Sequence, residues 1–521
     1  MNKLKSLRYF IESFNLILNR RQKRLGVVVL IASIIGAFLQ MLGVSIIVPL
    51  VSAMMQPDEF MELSYIKKLC DAFDLSTSVQ VFRFLCIAVI VLYIFKNLYC
   101  VFQTWLSAKY SQKIQRELSM KIFHSYMSRQ YDYFIKRDSS RIFRDIANEP
   151  ECLNSMLICI FNFLAEVLTV AFIIVYIIIS DWMMAVCISI LALICLAIIY
   201  GFFKNKVKHS GEIQRFFAIK KNSIVFQSIY GIKEVQVMKK QKYFEDKYLE
   251  YLRKTQKSTM DIQVASVTPT FMIEGVFVTG IMAYICVSVG MDSDFTKKIP
   301  MLASFMLAAV RMLPSLGRIS SSINSIIFNM PALISVRDNI ETLNFNYSNY
   351  MESIVDDGKV IGFDDSLKLE NVSWHYDDSD KYILNNINMQ VKKGESIGIV
   401  GASGAGKSTL ADIILGIHVP QKGEVKIDDV NINNMPYAYS RIIGYVPQNT
   451  YLFDGTIKEN IAFGVDENDI DDKQVIEALK KAQMYEFVQN ELENGINTVI
   501  GEQGIKLSGG QRQRISIARA L

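Results

Sequence analysis

Six apolar runs, each long enough to cross ~30 Å of hydrocarbon as a helix, occupy the first two thirds of this 521-residue chain. They lie near residues 25–52, 81–106, 155–179, 182–203, 268–290 and 300–328. Backbone immersed in lipid must satisfy its own hydrogen bonds, so each run is predicted to be helical. Only Ser180-Asp181-Trp182 separates the third from the fourth, which reads as a tight hairpin with an interfacial tryptophan. Hydrophobic residues make up 51% of the chain, and their excess ends near residue 335. The remainder of the chain is more polar and reads as a separate, soluble segment.

Loop charge predicts the orientation. Residues 1–24 carry seven Lys/Arg and one acid, and residues 204–264 carry fourteen and six. Residues 56–78 carry two Lys and five acids. The positive-inside bias places the N-terminus and the loops 107–154 and 204–264 in the cytoplasm, with 53–80, 180–182 and 291–299 outside. An even number of spans returns the C-terminal segment to the cytoplasm. Both long cytoplasmic loops keep apolar residues at helical spacing, as at Ile213, Phe216, Phe217 and Ile224, so spans two to five are expected to continue as helices beyond the membrane. Residues 1–24 read as a basic amphipathic segment in the inner interface, with Leu4, Leu7, Phe10, Ile11, Phe14 and Ile17 on one side. Residues 57–75 have a similar spacing and fit a short outer surface helix. Both segments also fit as packed turns of the spans.

Composition excludes several classes. The eight cysteines form no Cys-x-x-Cys and no Cys/His ligand spacing, and most lie inside apolar runs as small hydrophobes. Cys70, in the outer loop, has no assigned role. The first apolar run is longer than a signal-peptide core and lacks a small-residue cleavage site. A net charge of +5 without basic-aromatic clusters argues against nucleic-acid binding.

Residues 336–366 read as a linker, and an α/β segment follows from 367. Within it, Ser396–Val400 is predicted to be a short buried strand and 407–416 a helix. Between them stands Gly401-Ala402-Ser403-Gly404-Ala405-Gly406-Lys407-Ser408. This strand–GxxxxGKS–helix order is that of a P-loop. Its glycines let successive backbone N–H groups turn onto phosphate oxygens, and the helix N-terminus adds positive potential. Lys407 is expected at the β/γ-phosphates, the Ser408 hydroxyl at Mg²⁺, and Thr409 as a cap nearby. A second anion-binding candidate, Leu507-Ser508-Gly509-Gly510-Gln511, opens a helix about 100 residues later. An ordinary Ser-Gly-Gly turn is common, and its weight here comes from Gln511-Arg512-Gln513-Arg514 and the upstream loop.

On these motifs the chain resembles ABC transporters of the exporter type, with a membrane domain fused ahead of a nucleotide-binding domain. The resemblance covers nearly the whole length. It implies a multidomain membrane protein: a six-helix α transmembrane domain (25–335) with long cytoplasmic helical extensions, then an α/β P-loop NTPase domain (367–521). It implies ATP and Mg²⁺ as cofactors. It also implies two chains, because the signature Ser508, Gly509, Gly510 and Gln511 would meet ATP held by the partner's Gly401, Ser403, Gly404, Ala405, Gly406, Lys407, Ser408 and Thr409. A homodimer is therefore expected. Tyr376 matches the aromatic that stacks on adenine. Gln448, in Tyr445-Val446-Pro447-Gln448, matches a catalytic glutamine at Mg²⁺ and the attacking water. Tyr131–Arg137 and Ser228–Glu234 match the coupling tips, and Gly501-Glu502 a segment that contacts them. The family continues past the signature helix with a strand ending in Asp-Glu, an Asp loop and a switch histidine. Here Leu521 follows that helix directly, and the general-base Glu is absent. The expectation is a longer natural protein, with slow or no hydrolysis by this sequence alone.

Ionisable residues at bilayer depth are costly and mark function. Lys96, Glu274, Arg311 and Arg318 stand out as a substrate cavity, and the two arginines, seven apart, share one helix face. The alternative is that the cations snorkel or pair with Glu274 or Glu166. The runs Ile273-Glu274-Gly275 and Arg311-Met312-Leu313-Pro314-Ser315-Leu316-Gly317-Arg318-Ile319 resemble PglK-type flippases of lipid-linked oligosaccharides, with Thr270 standing where that family has an arginine. The resemblance implies ATP-driven outward flipping of an anionic, lipid-linked substrate across a bacterial plasma membrane. A peptide, lipid or drug exporter of the same fold and a non-hydrolytic nucleotide-binding scaffold are the alternatives.

Overall fold

A computed structural model describes the backbone of residues 3–46, 77–135, 137–180, 182–291, 299–354, 360–376 and 381–521, with isolated positions between them. The segment 57–75, Cys70, most of the two longer outer loops and the Arg311 side chain lie outside the described residues. The chain divides into two units, 1–129 with 133–347, and 130–132 with 348–521.

The first unit is helical. Its elements are α1 (Lys3–Ile17), α2 (Arg20–Ser45), α3 (Ser78–Met127), α4 (Tyr131–Ile135), α5 (Ser139–Phe143), a π-type turn (Arg144–Asn148), α6 (Glu149–Ser180), α7 (Trp182–Tyr230), α8 (Ile232–Val237), α9 (Gln241–Met291) and α10 (Ile299–Ile354). The helices α3, α7 and α9 run 50, 49 and 51 residues, so apolar span and polar extension are continuous in each. Four helical stretches among the described residues are long and apolar enough to cross a membrane: Arg20–Gly43, Val79–Met127, Ser139–Tyr176 and Met312–Glu341.

Side-chain periodicity explains the core. On α3, Tyr110, Ile114, Leu118, Ile122 and Tyr126 recur every four residues and are buried. They meet Leu153, Met156, Leu157 and Phe161 of α6 and Leu333, Val336 and Ile340 of α10 in one cluster. Each such side chain contributes about 1.5–3 kcal/mol on full burial. The opposite faces are apolar and uncovered, as at Val27, Ile31, Ile34 and Phe38 of α2 and Ile87, Ile94, Leu98 and Val101 of α3. Stripes of that size suit lipid rather than water.

Two sequence expectations are revised here. The segment read as a linker from 336 is helical to 354, because α10 runs unbroken through it and Val336 and Ile340 sit in the core. The spacing of Leu333, Val336 and Ile340 is the helical signal that the polar residues after 344 obscured. The N-terminal segment forms α1 and the start of α2, and Ile17 is buried with Phe10 and Phe14 packed against the same core. That favours the packed alternative over a helix lying free in the interface.

The second unit combines an antiparallel sheet with a helical subdomain. Strands β1 (Ser366–Trp374), β2 (Leu384–Lys392), β3 (Lys422–Ile427) and β4 (Val430–Asn431) form a sheet in the order β2-β1-β3-β4. Leu369, Val372, Trp374, Val425 and Ile427 build its core, closed by Ile413 of α11 (Lys407–Ile414) and Tyr439 of α12 (Pro436–Ser440). The β3–β4 turn is Asp428-Asp429, both with positive φ (45° and 68°), as a two-residue hairpin demands. The Asp428 carboxylate accepts the backbone N–H groups of Asp364, Asp365 and Ser366, and these bonds hold its pKa below the ordinary value. A second cluster packs α13 (Ile457–Ile461), α14 (Asp472–Lys481), α15 (Tyr485–Asn490) and α16 (Gly509–Ala520) around Ile457, Leu479, Met484 and Ile515.

The strand expected at Ser396–Val400 does not form a ladder with any described strand. Val400 is 95% exposed, and Ile397 and Ile399 are 43% exposed. A strand exists by pairing, and an apolar run without a neighbour stays extended but unassigned.

Candidate nucleotide and transport sites

The phosphate loop leads directly into α11. Gly404 and Gly406 have φ of +80° and +88°, a left-handed conformation that costs glycine little and other residues more. A Cβ at Gly406 would come within 3.1 Å of Ile383 Cγ2 and 3.2 Å of Leu384 Cδ2, so the loop also lies tight on β2. No atom would meet a Cβ at Gly404 within 4 Å, which leaves that side of the loop open to a ligand. Lys407 Nζ donates to the carbonyls of Gly401 (2.8 Å) and Ala402 (2.9 Å), curling back over the loop. Gly401, Ser403, Gly404, Ala405 and Ser408 are exposed, and Thr409 is buried beneath them.

The second motif is built as a reciprocal cap. Ser508 Oγ accepts the N–H of Gln511, and Gln511 Oε1 accepts the N–H of Ser508 at 2.7 Å. Gly509 and Gly510 are therefore held at the start of α16 with an exposed surface. Ser508→Ala is expected to cost about 1 kcal/mol of helix stability. Faster amide exchange in the first turn of α16, with the rest of the unit unchanged, would show it.

The other candidates fall into place unevenly. Tyr376 is half-buried at the end of β1, edge-on to Trp374 with ring centroids 4.6 Å apart, and Trp374 in turn stacks on His418 at 4.5 Å. Gln448 lines a cavity of about 560 Å³ with Tyr451, Glu502, Gly509 and Arg512. Gln448, Glu502 and Gly509 of the second motif are thus neighbours, while the phosphate loop does not line that cavity. Arg519 is a positioning residue that the motifs do not reveal. It donates to the carbonyls of Asn460 (2.8 Å) and Tyr451 (3.0 Å), pinning the segment after Gln448 to α16. In the sequence it reads as an ordinary helix-surface arginine. Of the two coupling-tip candidates, Tyr131–Arg137 opens with the short α4, and Ser228–Glu234 spans the junction of α7 and α8.

In the first unit, Lys96 is 8% exposed, with its ammonium 4.1 Å from the centre of the Tyr93 ring and its stem against Gly43 of α2. Glu274 is exposed on α9. Arg318 is paired: its Nε lies 2.5 Å from Glu166 Oε1 and its Nη2 3.2 Å from Oε2, with Ser315 Oγ at 3.4 Å. Glu166, one of the two partners that the sequence offered, is therefore the one paired with Arg318. Beside it, α9 and α10 approach closely at Gly317, where a Cβ would lie 2.6 Å from Thr270 Oγ1. Gly317→Val should destabilise the unit by about 1–3 kcal/mol through overpacking. Adding Thr270→Ala should recover part of that loss in thermal unfolding, and no recovery would show that the close approach is not the cause.

Comparison with known proteins gives a consistent picture. A family profile described as "ABC transporter transmembrane region" matches residues 25–310, and one described as "ABC transporter" matches 384–521. ABC transporter B family member 1 of Dictyostelium discoideum is 25% identical over 443 residues, 84% of this chain and 47% of that protein. An ATP-dependent lipid A-core flippase of Syntrophus aciditrophicus is 26% identical over 470 residues, 88% of this chain and 74% of that protein. The chain thus spans about half the length of the first relative and about three quarters of the second. Among solved structures, a bacterial Atm1-family ABC exporter with ATP bound superposes with a TM-score of 0.69 at 21% identity, covering 94% of this chain and 83% of that one.

Proposed function

This chain belongs to the ABC transporter family, and from that premise we propose that it uses ATP to export or flip an anionic lipid-linked oligosaccharide across a bacterial plasma membrane. The observation that carries the ATP part is the phosphate loop: an exposed, left-handed glycine turn opening α11, followed by a capped second anion site at α16. In this reading Lys407 reaches the β/γ-phosphates. Gly401, Ser403, Gly404, Ala405, Gly406 and Thr409 shape the cradle, and Tyr376 stacks on adenine. Ser408 and Gln448 hold Mg²⁺, whose chemistry is to offset the charge of the phosphates. Ser508, Gly509, Gly510 and Gln511 close on nucleotide held by a second copy. A composite site needs both halves, and in this reading a second copy of the chain supplies the other, making a homodimer.

Residues 25–335 are proposed as the transport domain and 367–521 as the nucleotide-binding domain, with the latter and the N-terminus cytoplasmic. The lipid part of the reading is supported by the name of the Syntrophus relative. The anionic part is supported by Lys96 and Arg318 on helices with membrane-length apolar windows and by the seven-residue spacing of Arg311 and Arg318 in the sequence.

The test is ATP-dependent flipping of an undecaprenyl-diphosphate-linked oligosaccharide in proteoliposomes. Arg311→Ala with Arg318→Ala should lower the rate by about tenfold or more, since each charge-assisted hydrogen bond contributes about 1.5–3 kcal/mol. Transport that survives this double substitution would sink the anionic reading. ATPase stimulation by neutral amphiphiles would point instead to a drug or peptide exporter.

A further inference from the structure

Arg318 already holds a carboxylate in the geometry it would offer an anionic ligand. Both Glu166 oxygens face its guanidinium edge, at 2.5 and 3.2 Å, in the two-point fork by which arginine binds carboxylates and phosphates alike. The partners come from α6 and α10, 152 residues apart in sequence. The Glu166 side chain is 13% exposed, whereas that of Arg318 is 49% exposed. The carboxylate is therefore set into the helix packing, and the guanidinium is open on its far side. Met312, Leu316 and Ile319, on the same helix as Arg318, are buried. A lone charge at this depth is costly, so each partner stabilises the other while no ligand is bound.

A phosphate that binds Arg318 through the same fork must first displace Glu166, because both anions use the same N–H groups. Leaving both in place would set like charges side by side. A singly charged head group gains little by such an exchange. A diphosphate gains more, because it brings greater charge and further acceptor oxygens.

We propose that Glu166 is a specificity-determining residue whose carboxylate stands in for the ligand's anion at Arg318, so that only a strongly anionic lipid head group displaces it. The inference rests on the anionic-substrate reading above and assigns that reading's selectivity to a residue on a different helix. Displacement also breaks the link between α6 and α10, so a bound head group and a closed ion pair exclude one another.

The experiment uses the full chain in phosphatidylcholine nanodiscs, with geranylgeranyl diphosphate as probe and geranylgeraniol as its neutral counterpart. Wild type should prefer the diphosphate, and Arg318→Gln should erase that preference. Glu166→Gln should tighten diphosphate binding by about tenfold, the effect of removing one competing charge-assisted contact. It should leave geranylgeraniol unchanged, and the gain should vanish in the Glu166→Gln/Arg318→Gln double variant. Glu166→Asp, which keeps the charge, should bind as wild type does. A purely structural pair predicts the opposite sign, weaker binding of both probes. If wild type shows an Arg318-dependent preference but Glu166→Gln does not tighten binding, the stand-in role is wrong and the anionic reading survives. If wild type shows no preference for the diphosphate, both fall together. If Glu166→Gln and Glu166→Ala both lose their cooperative thermal transition, the pair is a structural tie and the proposal fails.

Discussion

Lys407→Ala is expected to weaken ATP binding by roughly 10- to 100-fold, the loss of one or more charge-assisted hydrogen bonds to phosphate. Lys407 begins α11, directly after a loop whose left-handed glycines leave its outer side open. Its ammonium rests on the carbonyls of Gly401 and Ala402, at 2.8 and 2.9 Å. Those neutral acceptors hold the side chain over the loop and are weaker partners than phosphate oxygens, so the ammonium can exchange one set for the other at small cost. Alanine is the best helix former, so α11 should persist and the loss should be chemical rather than structural. Binding of a fluorescent ATP analogue, beside an unchanged thermal transition, is the measurement. Affinity equal to wild type would mean that the loop does not hold the triphosphate through this residue.

Glu149→Leu should destabilise the first unit by about 3–5 kcal/mol, because it leaves the largely enclosed Arg215 guanidinium without its counter-charge and takes one of the two carboxylate partners of Arg144. The Glu149 side chain is 2% exposed. It pairs with Arg144 Nε at 3.0 Å and with Arg215 of α7, both side chains themselves largely enclosed. Arg144 also binds Asp145 at 2.7 Å, and Asp145 accepts the Tyr126 hydroxyl at 2.8 Å. The π-type turn at Arg144–Asn148 immediately precedes Glu149. This short network ties α3, α6 and α7 together and joins the apolar core through Tyr126. Denaturant unfolding in detergent should show a lower midpoint for Glu149→Leu. Adding Arg215→Leu should restore part of the loss, since the second change removes one stranded charge. Equal stability of Glu149→Leu and wild type would refute the network's structural role.

Much of the site was legible in the sequence because its chemistry is local. Gly404, Gly406, Lys407 and Ser408 lie within five residues, and the backbone proposed to cradle phosphate is the same backbone that carries them. Ser508 and Gln511 are three apart, the spacing a reciprocal cap requires. The long helices were legible as well, since apolar length and four-residue periodicity are properties of a single segment. What was not legible involves partners far apart in the chain. The strand expected at Ser396–Val400 depends on a neighbour that its own residues do not name. The helical continuation of α10 through Val336 and Ile340 was hidden by polar residues downstream. Arg519 read as one charge among many until the fold set Asn460 against it, and for Arg318 the sequence left Glu166 and Glu274 open as partners until the fold set Glu166 against it.

The sequence by itself determined that this chain builds membrane-length helices and a phosphate-binding turn, because hydrophobic periodicity and loop conformation are settled within a few residues. Only the tertiary structure decided which charges stand paired and which helices they join. Coulomb and desolvation energies depend on distance and burial in space, and a sequence that offers both Glu166 and Glu274 to Arg318 does not choose between them until one lies 2.5 Å away in the fold.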